Sequence, residues 1–355
     1  MGYNRVGTPK FFMDAALLAR QWGQIETGNP DVLYSSSTEG KFHLNPSKVT
    51  TTTFDATTGH RYIHLIFKNR FWLNSISHAF VLGHNLKADN VGIRGYVIEN
   101  EGDDFAQLFP PAGGEFTIPD VNGWSLYEFD PKTEADRNRI TYNLAGADSP
   151  AESTLLGDIS FGWSYEMRSP DLELSQSFSN ESIKTQTTLG GNTLSNAGWN
   201  HKAGWIKNAW ENSGLAGDTY NHENFKVFPS GRRQWQLKFS FLADSNSASD
   251  AFHSDSGLFS PDLHSPLGIF EDTGSSGGTD FNIKQDFMSR VFYGSNCFQL
   301  PMIFTPEINA KRVNSNGGEV PDPEFAIVRI DNNTAEFTQV ANNVYTISIN
   351  LVEVF

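Results

Sequence analysis

His60 and His64 lie four residues apart, the spacing that puts two imidazoles on one face of a helix and lets them share a metal ion. The surrounding residues alternate as a strand instead, with Ile63, Leu65 and Phe67 opposite Tyr62, His64 and Ile66. Four strand steps separate the two rings by about 13 Å, too far for one ion without a third element between them. No metal site is expected. His84-Asn85 follows the apolar run Ala79–Leu82 and Gly83. Such a pair in a tight turn reads either as a turn bonded to its own backbone or as a loop tip that contacts sugar. Asp103 and Asp104 form a second polar tip of the same kind, and the four residues together are the candidate carbohydrate-binding set. Carboxylates are plentiful, but none are framed as the acid and nucleophile of a glycosidase, which need a separation of about 5–10 Å across a cleft. The P-loop, dinucleotide glycine motif, HExxH, EF-hand and GxSxG patterns are missing from the sequence. No catalytic residue and no cofactor is expected.

The other residues suited to recognition are aromatic or basic. Trp199, Trp205 and Trp210 lie in a polar, Gly-rich stretch and follow no core period. Flat rings in such a setting cap a core, stack on sugars or anchor a protein interface, and the last reading is preferred. Arg232-Arg233 is the densest basic spot of the chain. It reads as a solvated turn or as a pair that meets carboxylates of a neighbouring subunit. These five residues are the candidate assembly interface.

Composition narrows the partners. The formal net charge is −15 and the pI near 5.0, which argues against binding a phosphate backbone. Cys297 is the only cysteine, so no intrachain disulfide forms. Set in an apolar run, it is expected to be a small buried hydrophobe. No secretion signal and no apolar run of membrane-spanning length is expected. Met1-Gly2 opens like a myristoylation site, but Val6 stands where Ser or Thr is required.

The elements that must position these residues are mostly strands. From Gln234 the stretch Gly231–Leu242 alternates without a fault, with Trp235, Leu237, Phe239 and Phe241 on one face. Tyr345, Ile347, Ile349 and Leu351 repeat the pattern near the C-terminus. A period of two with large apolar groups on one side marks a half-buried antiparallel strand. Further strands are expected at Val49–Phe54, Arg61–Phe67, Ala79–Leu82, Val91–Ile98, Trp124–Phe129, Arg139–Leu144, Ile159–Tyr165, Cys297–Phe304 and Glu324–Ile330. A short helix over Lys10–Trp22 would have Thr8 as its cap and Pro9 as its first residue, although Lys10–Met13 reads equally well as extended. A second helix is expected over Asp280–Tyr293, with Asp280 as a possible cap and Gly294 as the stop. The fold class is therefore mainly β: two antiparallel β-sandwich or jelly-roll domains with one or two short helices. The divisions are residues 1–29 as an N-terminal arm, 30–167 as a jelly roll and 168–355 as a second β domain. The long Ser-, Asp- and Gly-rich loop 244–279 is expected to order only against a partner.

Two blocks carry a family resemblance. GHNL (Gly83–Leu86), IRGY (Ile93–Tyr96) and LGDISFGWSYEMRSPDLELS (Leu156–Ser175) resemble the galactose-binding, discoidin-like jelly roll embedded in structural proteins of tailed bacteriophages. The order of Lys184–Trp199, Gly231–Ser245, Leu300–Pro306 and Pro321–Val354, with GTPKFFMD (Gly7–Asp14) before them, is similar to that of phage tail and virion proteins. The resemblance implies a non-enzymatic virion component, made in the host cytoplasm and resident in the tail. Its implied partners are further copies of itself in a ring and other tail proteins, with no nucleic acid and no membrane. Two alternatives are a receptor-binding protein that grips host surface glycan through the jelly roll, and a tail-associated polysaccharide hydrolase.

Overall fold

A computed structural model of the chain describes residues 6–25, 42–44, 50–54, 59–69, 71–99, 105–110, 116–119, 123–131, 137–146, 153–171, 175–179, 185–195, 232–243, 270–272, 281–313, 319–321, 324–332, 336–342 and 344–354. In chain order the elements begin with β1 (Lys10–Phe12), α1 (Ala15–Gln21), β2 (Thr50–Thr53), β3 (His60–Ile66), α2 (Phe71–Asn74), β4 (His78–Leu82) and β5 (Val91–Glu99). Next come β6 (Phe105–Phe109), β7 (Trp124–Glu128), β8 (Arg137–Gly146), β9 (Ser153–Leu156), β10 (Asp158–Gly162) and β11 (Ser164–Glu166). The middle of the chain holds β12 (Ser175–Ser179), β13 (Thr185–Thr187), β14 (Thr193–Ser195), β15 (Arg232–Ala243), β16 (Phe270–Asp272) and β17 (Phe281–Ile283). After a π-helical turn at Met288–Tyr293 the last strands are β18 (Met302–Thr305), β19 (Lys311–Val313), β20 (Glu319–Pro321), β21 (Ala326–Ile330), β22 (Phe337–Ala341) and β23 (Val344–Glu353). The protein is mainly β, as expected, and every strand pairing is antiparallel.

Three larger sheets make layers. The four-stranded sheet β3-β8-β5-β6 faces the three-stranded sheet β10-β4-β7 across a core that includes Ile63, Val81, Ile93, Ile140, Tyr142, Ile159 and Phe161. Because successive side chains of a strand point to opposite faces, β4 has a second set to bury. Phe80 and Leu82 pack with Phe325, just before β21, and with Phe12, Ile303 and Ile327 of the eight-stranded sheet, whose order is β11-β1-β18-β21-β23-β15-β12 with β22 on β23. His78–Leu82 is accordingly buried at every residue. Such a strand reads as a continuous apolar run rather than an alternation.

In the N-terminal segment the extended reading of Lys10–Met13 holds, and the helix cap expected at Thr8 with Pro9 as first residue does not. Lys10–Phe12 is a strand, with Phe11 opposite Tyr165 on one side and Phe304 on the other. Phe11 and Phe12 are adjacent and both wholly buried, which a strand between two cores allows and one face of a helix does not. The helix starts later. Asp14 is its N-cap, its Oδ1 accepting from the Leu17 amide at 2.8 Å, and Gly23 ends it at φ +65°. Residues 10–12 thus belong to a sheet completed by residues from both ends of the chain. A division near residue 168 falls between β11 and most of its own sheet.

Two further expectations on the C-terminal side are corrected. Phe281–Ile283 is a strand paired with Phe270–Asp272, and helical backbone starts only after Asp286, whose carboxylate accepts from the Ser289 amide and hydroxyl. Cys297 is exposed because Asn296, Cys297 and Phe298 form a left-handed run with φ of 51°, 58° and 68°, and the strand begins at Met302. Most of the loop 244–279 lies outside the described residues.

Candidate functional site

His84 is not at a solvent-facing tip. Its Nε2 donates to Ser125 Oγ at 2.8 Å, while Nδ1 accepts from the Leu86 amide at 3.3 Å, and the ring is buried. Gly83, in the left-handed region at φ +64°, turns the chain so that the imidazole folds inward. Asn85 uses its side-chain oxygen for the Thr154 hydroxyl and the Leu155 amide, both at 2.7 Å. Asp89 accepts from the same hydroxyl at 2.6 Å. The turn therefore ties the end of β4 to β7 and β9, mainly through partners on other strands rather than through its own backbone. Asp103 and Asp104 lie outside the described residues.

Arg233 is likewise drawn into the fold. Arg232 is exposed, but Arg233 is buried in β15. Its guanidinium donates to Glu353 Oε2 and Oε1 at 3.1 and 2.8 Å, to Glu324 Oε1 at 3.0 Å and to the Phe325 carbonyl at 2.9 Å. Its amide also donates to Glu353, at 2.9 Å, and the charge lies 5.3 Å from the Trp235 ring centroid. Arg233 is therefore neither a solvated turn residue nor free to meet a neighbouring subunit, since the carboxylates it pairs with belong to its own chain. A usable signal was present: Arg233 has the same parity as Trp235, Leu237 and Phe239, and Glu353 the parity of Ile347, Ile349 and Leu351. Both therefore lie on the buried faces of their strands. Trp199, Trp205 and Trp210 lie outside the described residues.

Other titratable groups are buried in the layers. His78 is wholly buried among Phe12 and Phe80, with ring centroids at 5.0 and 5.8 Å, and neither ring nitrogen has a hydrogen-bond partner. Burial lowers the pKa values of His78 and His84 to about 3. The unfolded chain takes up these protons near pH 6.5, whereas the folded chain refuses them until about 3. Their stability contribution is full above pH 6.5 and is lost as pH falls through that window. Asp14 runs the other way. Burial raises its pKa to about 6, so its contribution is full below pH 3.8 and is lost as pH rises through 6. His64, lowered to about 4 by burial and then by Arg139 and Arg61, acts in the same direction, and with three histidines opposing one aspartate, stability should fall on acidification below 6.5. In His78→Phe the slope of unfolding free energy between pH 6 and 4.5 should drop by one proton's worth, about 1.4 kcal/mol per pH unit. Denaturant titrations at several pH values measure it, and an unchanged slope contradicts the assignment. Among the described residues no group of three or more His, Cys, Asp or Glu is arranged to hold a metal ion. None of their helices is long and apolar enough to cross a membrane.

One feature of the surface was not singled out in the sequence. β13 and β14 form a hairpin whose turn is closed by Gly191 N to Thr188 O at 2.9 Å and Thr188 N to Asn192 O at 2.8 Å. Every described side chain from Gln186 to Asn192 is exposed, and Leu189 at the tip is fully so. The signal was Leu189-Gly190-Gly191-Asn192, a Gly-Gly turn between Thr-rich segments. Weak alternation hid the hairpin, whose described side chains, Gln186 to Asn192, are all exposed.

No family model matches the chain, and no curated protein matches it. Among solved structures, CBM32-3 from a family 31 glycoside hydrolase of Clostridium perfringens is similar at 10% identity, covering 43% of this chain and 95% of that chain with a TM-score of 0.27.

Proposed function

We propose that this chain is a non-catalytic structural subunit of a tailed-phage virion that assembles with copies of itself and with other tail proteins. The family resemblance of its sequence blocks suggests the setting. The observation that supports an assembly role is the hairpin β13–β14. From Gln186 to Asn192 every described side chain is exposed, with Leu189 at the tip fully so, and a leucine held in water by a defined turn gains free energy only when another surface covers it. In this reading the jelly-roll part, about 30–167, faces outward or clamps neighbours.

The full chain is expected to self-associate at micromolar concentration, or to do so once a template subunit is added, as read by light scattering and electron microscopy. Leu189→Glu should lower the association at least tenfold while leaving thermal stability nearly unchanged, because exposed substitutions rarely move it. A wild-type chain that stays monomeric at high concentration, with and without other tail proteins, contradicts the proposal. Assembly that is indifferent to Leu189→Glu removes the hairpin from it.

A further inference from the structure

Between β1 and α1 the chain crosses the seam of two apolar clusters. Phe12 and Leu17 belong to one of them, and Ala15, Ala16 and Leu18 to the other. In the middle of this crossing stands an acid, Asp14, which is 3% exposed. Gly162 of β10 sets how close the crossing lies. A Cβ there would stand 2.2 Å from the Met13 carbonyl oxygen and 3.0 Å from the Ala15 amide nitrogen, so only glycine lets the chain pass over the strand at this distance. The Met13 amide completes the contact by donating to the Trp163 carbonyl at 2.9 Å. Ser160, two residues before Gly162, has the same parity and shares its face of β10.

The polar atoms at the crossing are only half used. Asp14 Oδ1 accepts from the Leu17 amide at 2.8 Å, but Oδ2 is buried and has no hydrogen-bond partner among the described residues. The Ser160 and Tyr142 hydroxyls are buried and lack one as well. Both act on the acid or feel it. Burial raises the pKa of Asp14, while the Leu17 amide and then the Ser160 hydroxyl hold it back. Burial, and after it the Asp14 charge, raises that of Tyr142. Buried polar atoms without partners are rare in a folded chain, and three of them belong to this one neighbourhood. The other charged and titratable groups on the elements around it are few. Arg20 lies on α1 and is the weakest influence on Asp14. Asp158 shares the Ser160 face of β10, His78 of β4 stands opposite Gly162 in register, and Lys10 of β1 is paired with Glu128.

We propose that Asp14 is a proton-operated clasp between α1 and β10: the neutral carboxyl holds the helix down, and ionisation loosens it. A neutral carboxyl brings an O–H as well as acceptor oxygens, so it can pair with a neighbouring hydroxyl without placing a charge in the seam. An ionised one only accepts, and no cation is bonded to it there among the described residues, so burial works against it. Its pKa is accordingly raised to about 6. Lifting α1 returns the carboxyl to water and to its ordinary 3.8. The clasp is therefore fully fastened below pH 3.8, weakens by up to about tenfold per pH unit on the way to 6, and weakens no further above that. In this device α1 opens while the sheets stay closed, unlike the loss of the buried histidines in acid, which bears on the whole body. It does not depend on the assembly reading.

The test is amide hydrogen exchange of the full chain, read by mass spectrometry on peptides that cover α1 and β15. Asp14→Asn keeps a capping oxygen and cannot ionise. In the wild type at pH 7 the α1 amides should open at least tenfold more often than those of β15. Their opening constant divided by that in Asp14→Asn should rise about tenfold from pH 5 to 7, the division cancelling the histidines that both chains share. A second readout is the infrared band of the neutral carboxyl. It should titrate with a midpoint near 6, be missing in Asp14→Asn, and move to higher pH in Ser160→Ala. A ratio that stays flat between pH 5 and 7, α1 amides that open only together with β15, or a midpoint at the ordinary carboxyl value overturns the clasp. Should Asp14→Asn not fold, the infrared titration of the wild type against Ser160→Ala decides, and an unshifted midpoint overturns the proposal.

Discussion

Arg233→Ala is expected to cost the fold about 3–5 kcal/mol, the usual penalty for removing one partner of a buried ion pair. The penalty comes from what is left behind. Glu353 is wholly buried, and both its carboxylate oxygens accept from the Arg233 guanidinium. Without Arg233 the charge must be protonated or hydrated inside the sheet. Glu324, whose side chain is 38% exposed, reaches water, and Glu324→Gln should cost less than about 1 kcal/mol. The double change Arg233→Met with Glu353→Leu should lose less than either single change, because no unpaired charge remains. Unfolding in denaturant reads each of these variants against the wild type. A loss under about 1 kcal/mol for Arg233→Ala, or a double variant worse than the sum of the singles, contradicts this account.

Phe12→Ala should be of the same size, about 3–5 kcal/mol, as for other large aromatic truncations in a core. Phe12 sits between layers, with ring centroids 5.0 Å from His78 and Phe80 and 6.2 Å from Phe325. Its neighbour Phe11 lies 5.2 Å from Phe304. Were residues 1–29 an appended arm, the substitution would leave the unfolding transition untouched, and that outcome would sink the architecture described above. Because β1 joins β11 to β18, the loss should appear in a single transition of the whole layered body rather than as an early separate step.

The strands could be read with good fidelity where one face is buried and the other wet. β15 and β23 are the clearest cases, with Trp235, Leu237, Phe239, Ile347, Ile349 and Leu351 all buried. Even there the alternation stops short. A bulge between Phe239 and Leu242 brings Leu242 into the core, and Asp171 bonds to Ser240 beside it at 3.2 and 2.6 Å. Legibility fell where both faces are covered, as at Lys10–Phe12, or where the described side chains are all exposed, as from Gln186 to Asn192. The candidate sites fared worse for a related reason. His84 and Asn85 were visible as a polar pair in a turn, but whether they faced water or Ser125 and Thr154 depended on strands that arrive much later in the chain.

The sequence by itself determined the β class and most strand positions, because a period of two is local and each strand records which of its faces is buried. Only the tertiary structure decided which strands are neighbours: Lys10 pairs with Thr305 and with Glu166, and Gln234 with Val352. Those pairings set Arg233 against Glu353 and turn His84 inward. Backbone hydrogen bonds are the same for any pair of strands. The choice is made by side chains that meet only once the layers have packed.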